Sequence, residues 1–178
     1  YSYTNKQSSA PGGDGNISYY PWFVDLDNDD YRLSPGSVSI NRGDPTLDND
    51  DDGTRRDMGA YIYEHTHLGP DWYVSPLGSF ESGDGSFGNP LSSVLSAVNL
   101  ANEGDVITLA EGTYTGLGNY NIYFLGKDVT IQSEGSAENT IIDAEGRDED
   151  NNALNSRRIF SFEPHGSYGP VTSNTLID

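Results

Sequence analysis

Asn89-Pro90-Leu91-Ser92-Ser93-Val94-Leu95-Ser96-Ala97-Val98-Asn99-Leu100-Ala101-Asn102-Glu103-Gly104-Asp105-Val106-Ile107-Thr108-Leu109 is the stretch on which the fold turns. Leu91, Val94, Leu95, Val98 and Ala101 recur at spacings of three and four, which gives a helix one apolar face. Asn89 reads as its N-cap, Pro90 as its first residue and Gly104 as its stop. Val106-Ile107-Thr108-Leu109 then changes to a short β-branched run, so the helix hands over directly to a strand.

The same alternation of short strands and turns continues on both sides. Downstream come Ile122-Tyr123-Phe124-Leu125, Val129-Thr130-Ile131, Thr140-Ile141-Ile142, Ile159-Phe160-Ser161-Phe162 and Thr175-Leu176-Ile177, bounded by Gly, Asn or Asp. Their separations of about 11 to 23 residues suit stacked coils of a parallel solenoid. Upstream, Trp22-Phe23-Val24, Tyr31-Arg32-Leu33, Val38-Ser39-Ile40 and Ala60-Tyr61-Ile62-Tyr63 are further short strands between acidic turns. Pieces this short become stable by packing on neighbouring coils, and a lone helix would cover an open solenoid end.

Composition narrows the class. The 178 residues include 21 Gly, nine Pro and 12 Tyr, a turn-rich balance that favours an all-β fold. Net charge is -19, from 28 Asp and Glu against nine Lys and Arg, which repels a phosphate backbone and excludes nucleic acid as a partner. With no cysteine the chain has neither disulfide nor thiolate chemistry. No apolar run approaches the roughly 18 residues of a membrane span, and no targeting signal opens the chain.

Trp72-Tyr73-Val74-Ser75, Gly83-Asp84-Gly85-Ser86, Asn89-Pro90, the helix, Gly104-Asp105-Val106-Ile107 and Glu111-Gly112-Thr113-Tyr114 resemble, in this order, the N-terminal cap of secreted bacterial right-handed β-helix proteins of the pectate-lyase-like kind. Lys127 to Ser133 and Asn139 to Asp143 look like its next rungs. Trp22-Phe23-Val24-Asp25, Asp30-Tyr31-Arg32-Leu33, Gly43-Asp44-Pro45 and Asp57-Met58-Gly59-Ala60-Tyr61 resemble the usual ending of such proteins. The resemblance implies an all-β, right-handed parallel β-helix segment with one capping α-helix. Residues 1–66 would close one unit, and residues 67–178 would open a second that is cut in mid-rung.

Asp48-Asn49-Asp50-Asp51-Asp52-Gly53 places carboxylates at alternate positions before a glycine, as in the first half of a calcium loop. Asp48, Asp50, Asp52, Thr54 through its carbonyl, and Asp57 are the candidate calcium ligands. Gly59 stands where the bidentate Glu of an EF-hand would be, and the flanking helix pair is missing. Carboxylates about 6 Å apart repel by about 0.7 kcal/mol even in water, and a divalent cation reverses that sign. Asp25, Asp27 and Asp29 form a second alternating set.

Other features have plainer readings. Arg42-Gly43-Asp44 spells an integrin-recognition tripeptide but suits a turn before Pro45. His65 and His67 alternate in a linker and lack a third metal donor. Lys127, Arg147, Arg157 and Arg158, with Asp148, Glu149 and Asp150 nearby, contain the residue types of a polysaccharide lyase, yet such sites on this fold are built on middle coils beyond Asp178. Asn16-Ile17-Ser18 matches a glycosylation acceptor by chance.

These readings give a structural or adhesive segment of a large secreted or cell-surface protein, with calcium stiffening the junction. The partners are a polysaccharide or other units joined end to end or edge to edge. The first rival is the flank of a polysaccharide lyase or glycoside hydrolase. The second is a non-catalytic carbohydrate-binding module using Tyr19, Tyr20, Tyr61 and Tyr63.

Overall fold

The structure is a computed structural model and describes residues 17, 20–124, 126–146, 157–161 and 176–177. The element order is β1 (Phe23–Asp25), a 3-10 turn (Leu26–Asn28), β2 (Asp30–Leu33), β3 (Asp71–Ser79), α1 (Val94–Leu100), β4 (Val106–Leu109), β5 (Gly112–Tyr114), β6 (Ile122–Tyr123), β7 (Thr130–Ser133), β8 (Thr140–Ile142), β9 (Phe160–Ser161) and β10 (Leu176–Ile177).

The main sheet has four parallel strands in the order β10-β7-β4-β3. Its register aligns Trp72 with Ile107 and Ile107 with Ile131, so three large buried side chains stack in one column. Alternate residues of β4 point inward, as the two-residue period of a strand requires, and each fully buried aliphatic contributes about 1.5 to 3 kcal/mol. The Trp72 indole N–H donates to Asp105 Oδ2 at 2.8 Å. Gly85 lies against the Trp72 ring with φ of 83°, where a Cβ would come within 2.5 Å of a ring carbon, so glycine is required twice over. Tyr114 is also buried, its hydroxyl 2.9 Å from Val74 O and 2.8 Å from Ala110 O.

The expected right-handed parallel β-helix is not what the described residues form. Besides the main sheet they make three separate two-stranded sheets, β1-β2, β5-β8 and β6-β9, and no closed or continuous solenoid wall. β6 and β9 are only two residues long, and the left-handed backbone at Gly116, Gly118, Asn121 and Gly126 divides one short pair from the next. In the first part the chain turns back on itself. Asp25 Oδ1 accepts from Asn28 N at 3.2 Å and Asp29 is left-handed at φ 58°, which makes β1 and β2 an antiparallel pair. Of the other expected strands there, Val38–Ile40 lies in consecutive turns and Ala60–Tyr63 has no strand partner. Among the described residues the architecture is therefore a set of mixed small sheets beside one α-helix.

That helix also begins later than its pattern predicts. Ser93 is the N-cap, its Oγ accepting from Ser96 N at 3.3 Å. Leu91, fully buried, is extended instead and bridges to Val74 and Ser79, so packing against β3 overrides the local Asn-Pro start signal. Asn89 is used in the preceding turn, its Nδ2 donating to Ser82 O at 2.7 Å. Every residue of α1 is buried, including Ser96 and Asn99.

The polar side of α1 is covered by Trp22 and Gly36. Asn99 Nδ2 donates to Gly36 O at 3.0 Å. A Cβ on Gly36 would overlap the Trp22 ring and lie 3.0 Å from Ser96 Oγ. Trp22 packs on Phe80 at a centroid separation of 5.3 Å. Leu33 and Ile40 belong to the same hydrophobic cluster as Val94, Val98 and Ile107.

Candidate functional site

The acidic loop comes together through hydrogen bonds to its own backbone. Asp50 N donates to Thr54 O and Gly53 N to Asp50 O, both at 2.9 Å, which closes a tight turn with Gly53 left-handed. Asp52 Oδ1 accepts from Thr54 N at 2.9 Å and from Thr54 Oγ1 at 2.6 Å. Asp50 Oδ2 accepts from Asp57 N at 3.2 Å. Asp57 joins distant strands of chain: its Oδ1 accepts from Asn41 N at 2.7 Å and its Oδ2 from Tyr63 N at 2.5 Å.

Burial pushes the Asp57 carboxyl up to about 6, and the charges of Asp50 and Asp52 add to the rise while the two backbone N–H groups oppose it. For Asp52, burial works upward, but the Thr54 hydrogen bonds and the nearby His65 hold it below the ordinary value. Burial lowers His65, against the opposing pull of Asp52 and Asp50.

The sequence-predicted calcium ligands are thus divided. Asp50, Asp52 and Asp57 share one neighbourhood, whereas Asp48 is exposed and contributes its carbonyl, which accepts from Arg56 Nε at 2.6 Å. Thr54 O, the expected carbonyl ligand, already accepts from Asp50 N. A calcium ion needs six to eight oxygens, and most of those on offer are committed to N–H groups. Asp52 Oδ2 is buried without a partner, but Asp52 lines a cavity with Arg42, Arg55 and Lys127, whose charges oppose a divalent cation. Among the described residues no group of three or more histidine and acidic side chains is arranged to hold a metal. The donor set fits backbone amides better than calcium.

Asp25, Asp27 and Asp29 do not converge either. Asp25 caps the 3-10 turn, Asp29 Oδ1 accepts from Tyr31 OH at 2.9 Å, and Asp27 is exposed. Asp30 is instead paired with Arg32 at 2.6 Å, whose guanidinium holds it down at about 2.

Lys127 takes a position that no local pattern signals. Its Nζ donates to Val98 O at 2.9 Å, Asn99 O at 2.8 Å and Ala101 O at 2.6 Å, closing the carbonyl end of α1. A cation there satisfies orphan carbonyls and opposes the negative end of the helix dipole. The sequence groups it with Arg147, Arg157 and Arg158 as a residue type of polysaccharide lyases; in the fold its ammonium faces main-chain carbonyls. A pattern of apolar periodicity does not register such a contact, because the lysine lies 26 residues beyond its nearest acceptor.

The remaining candidates disperse. Arg42 is 9 % exposed and Asp44 Oδ1 accepts from Thr46, so the tripeptide is part of a turn and not displayed. His65 packs edge-on to Tyr63, while His67 packs edge-on to Trp72 with its Nε2 2.8 Å from Asp71 O. Arg157 lies 3.6 Å from Glu145 and over the Tyr120 ring. Tyr61 and Tyr63 line a cleft of about 590 Å³ with Arg32, Leu33 and Glu64, whereas Tyr20 packs on Phe23. Asn16, Ser18, Tyr19, Arg147, Asp148, Glu149 and Asp150 lie outside the described residues.

No helix of the described residues is long and apolar enough to cross a membrane. No family model, curated protein or solved structure matches the chain. The pectate-lyase-like resemblance therefore rests on the residues quoted for it alone.

Proposed function

We propose that the chain is a structural junction in a larger extracellular protein, holding residues 1–66 and 67–178 in one fixed relation. The observation that carries this reading is the burial of α1 on all sides. Its apolar residues face the parallel sheet, and its polar side is closed by Gly36 and Trp22 from the other part. Charged groups serve the same end: Asp57, Asp50, Asp105 and Lys127 each bind main-chain atoms. Groups used this way fasten loops, whereas acid-base catalysis needs them directed at a substrate. The acidic composition, 28 Asp and Glu against nine Lys and Arg, is compatible with an extracellular setting.

A protease site inserted between His67 and Leu68, in the linker joining the parts, tests the reading. After cleavage the two fragments remain together under native conditions and separate only in denaturant. Separation in native buffer would overturn it.

A further inference from the structure

The cleft beside the first hairpin brings apolar surface and unpaired negative charge together. It measures about 590 Å³, a size that takes a small ligand or a short stretch of peptide. Val24 of β1 with Arg32 and Leu33 of β2 lines it on the hairpin side, and the segment 60–64 and Glu81 line the rest. Tyr61 and Ile62 are each 53 % exposed. Adjacent large side chains left this open in a concavity mark a contact surface, whereas single exposed ones do not.

The charges in the cleft differ in status. Arg32 is already held by Asp30 at 2.6 Å. Glu64 and Glu81 meet no cation and no hydrogen-bond donor among the described residues, so both carboxylates are free to take one. An aromatic ring beside a carboxylate receives an ammonium or guanidinium group well: the ring face attracts the cation and the carboxylate accepts from its N–H groups. A chain of net charge -19 adds a long-range attraction for a positive partner. The main chain of residues 60–62 likewise makes no hydrogen bond among the described residues. Its N–H and C=O groups offer bonds to another main chain, as in strand addition, which a free amine could not use.

We propose that this cleft binds a short basic peptide segment of another protein, its cationic side chains paired with Glu64 and Glu81 and stacked on Tyr61, and its apolar side chains against Ile62 and Val24.

Calorimetric titration of the whole chain with an acetylated and amidated pentapeptide of alternating arginine and valine, at about 0.15 M ionic strength, tests this. Saturable one-to-one binding is expected, with a Kd of about 100 μM or tighter. Glu64→Gln and Glu81→Gln each weaken it by about threefold and together by about tenfold, and Tyr61→Ala weakens it by about fivefold. Glu103→Gln, exposed and outside the cleft, leaves it unchanged. All four positions are exposed, so the variants unfold thermally with the wild type and a loss of binding is not a loss of fold. Arginine amide alone binds at least about tenfold more weakly than the peptide; equal affinity would reduce the cleft to a site for a free cation and overturn the peptide assignment. Cellopentaose, which offers the tyrosine a stacking face but no cation, does not bind; saturable binding of it in place of the peptide would assign the cleft to a sugar and overturn the proposal. Absence of saturable peptide binding, or binding unaltered in the double Glu→Gln variant, would do the same.

Discussion

Asp57 gives the acidic loop a pH dependence of unusual sign. Its carboxyl is held at about 6, against an ordinary 3.8, chiefly by burial and then by Asp50 and Asp52. The folded state therefore binds this proton more tightly than the unfolded state does. Below pH 3.8 both states are protonated and Asp57 carries no charge penalty; above about 6 both are ionised and the penalty is complete. The full gap corresponds to about 3 kcal/mol, but Asp57 keeps partial access to solvent, and screening reduces the expected effect to about 1 to 2 kcal/mol. Asp57→Asn isolates it from the other carboxylates. The variant loses one acceptor for the Asn41 and Tyr63 amides, so it is less stable at every pH. Urea unfolding of both proteins from pH 4 to pH 7 gives the stability difference, wild type minus variant. That difference shrinks by about 1 to 2 kcal/mol as the pH rises. A constant difference, or one that grows with pH as a cation-bound carboxylate would give, refutes the reasoning.

Further substitutions test other parts of the account. Lys127→Met leaves three buried helix carbonyls without their donor and relieves the repulsion with Arg42, for a net loss of about 3 kcal/mol and a Tm lower by about 6 to 12 °C. Thermal unfolding followed by circular dichroism checks it. Gly36→Val forces a branched side chain into the Trp22 ring and costs about 3 kcal/mol or more in urea unfolding. Trp72→Phe keeps most of the apolar volume but removes the indole donor from Asp105 Oδ2, which retains only Asn102 N, at a cost of about 1 to 2 kcal/mol by the same method. Because the loop carboxylates already bind N–H groups, a chelator leaves the Tm within about 1 °C; a saturable rise of several degrees with added calcium would place an ion at Asp52.

How much of this was legible in the sequence depends on the range of the interaction. The strand segments around Trp72, Val106 and Thr130 were visible because alternation and β-branching are local properties, and each forms part of the main sheet. The helix was visible, but its start was misplaced by four residues' worth of local signal, since Leu91 is drawn into a bridge with β3. The continuous β-helix was over-read. Short strands at regular spacing specify neither how far a sheet extends nor that Asp25 and Asp29 turn the first part into an antiparallel pair. In the acidic loop, the spacing was read as a calcium ligand set, whereas Asp50, Asp52 and Asp57 accept from main-chain N–H groups. Their partners at Asn41 and Tyr63 are set by tertiary structure, which an alternating aspartate pattern does not encode. Lys127 and the cavity with Arg42 and Arg55 depend wholly on long-range packing.

The central claim is that Trp22, Leu33, Gly36 and Ile40 share one core with α1 and the parallel sheet. Scanning calorimetry of the intact chain beside Gly36→Val tests it most directly. One cooperative transition, with calorimetric and van't Hoff enthalpies equal and the whole transition moving down in the variant, is the predicted result. Two resolved transitions, of which Gly36→Val moves only one, would contradict it.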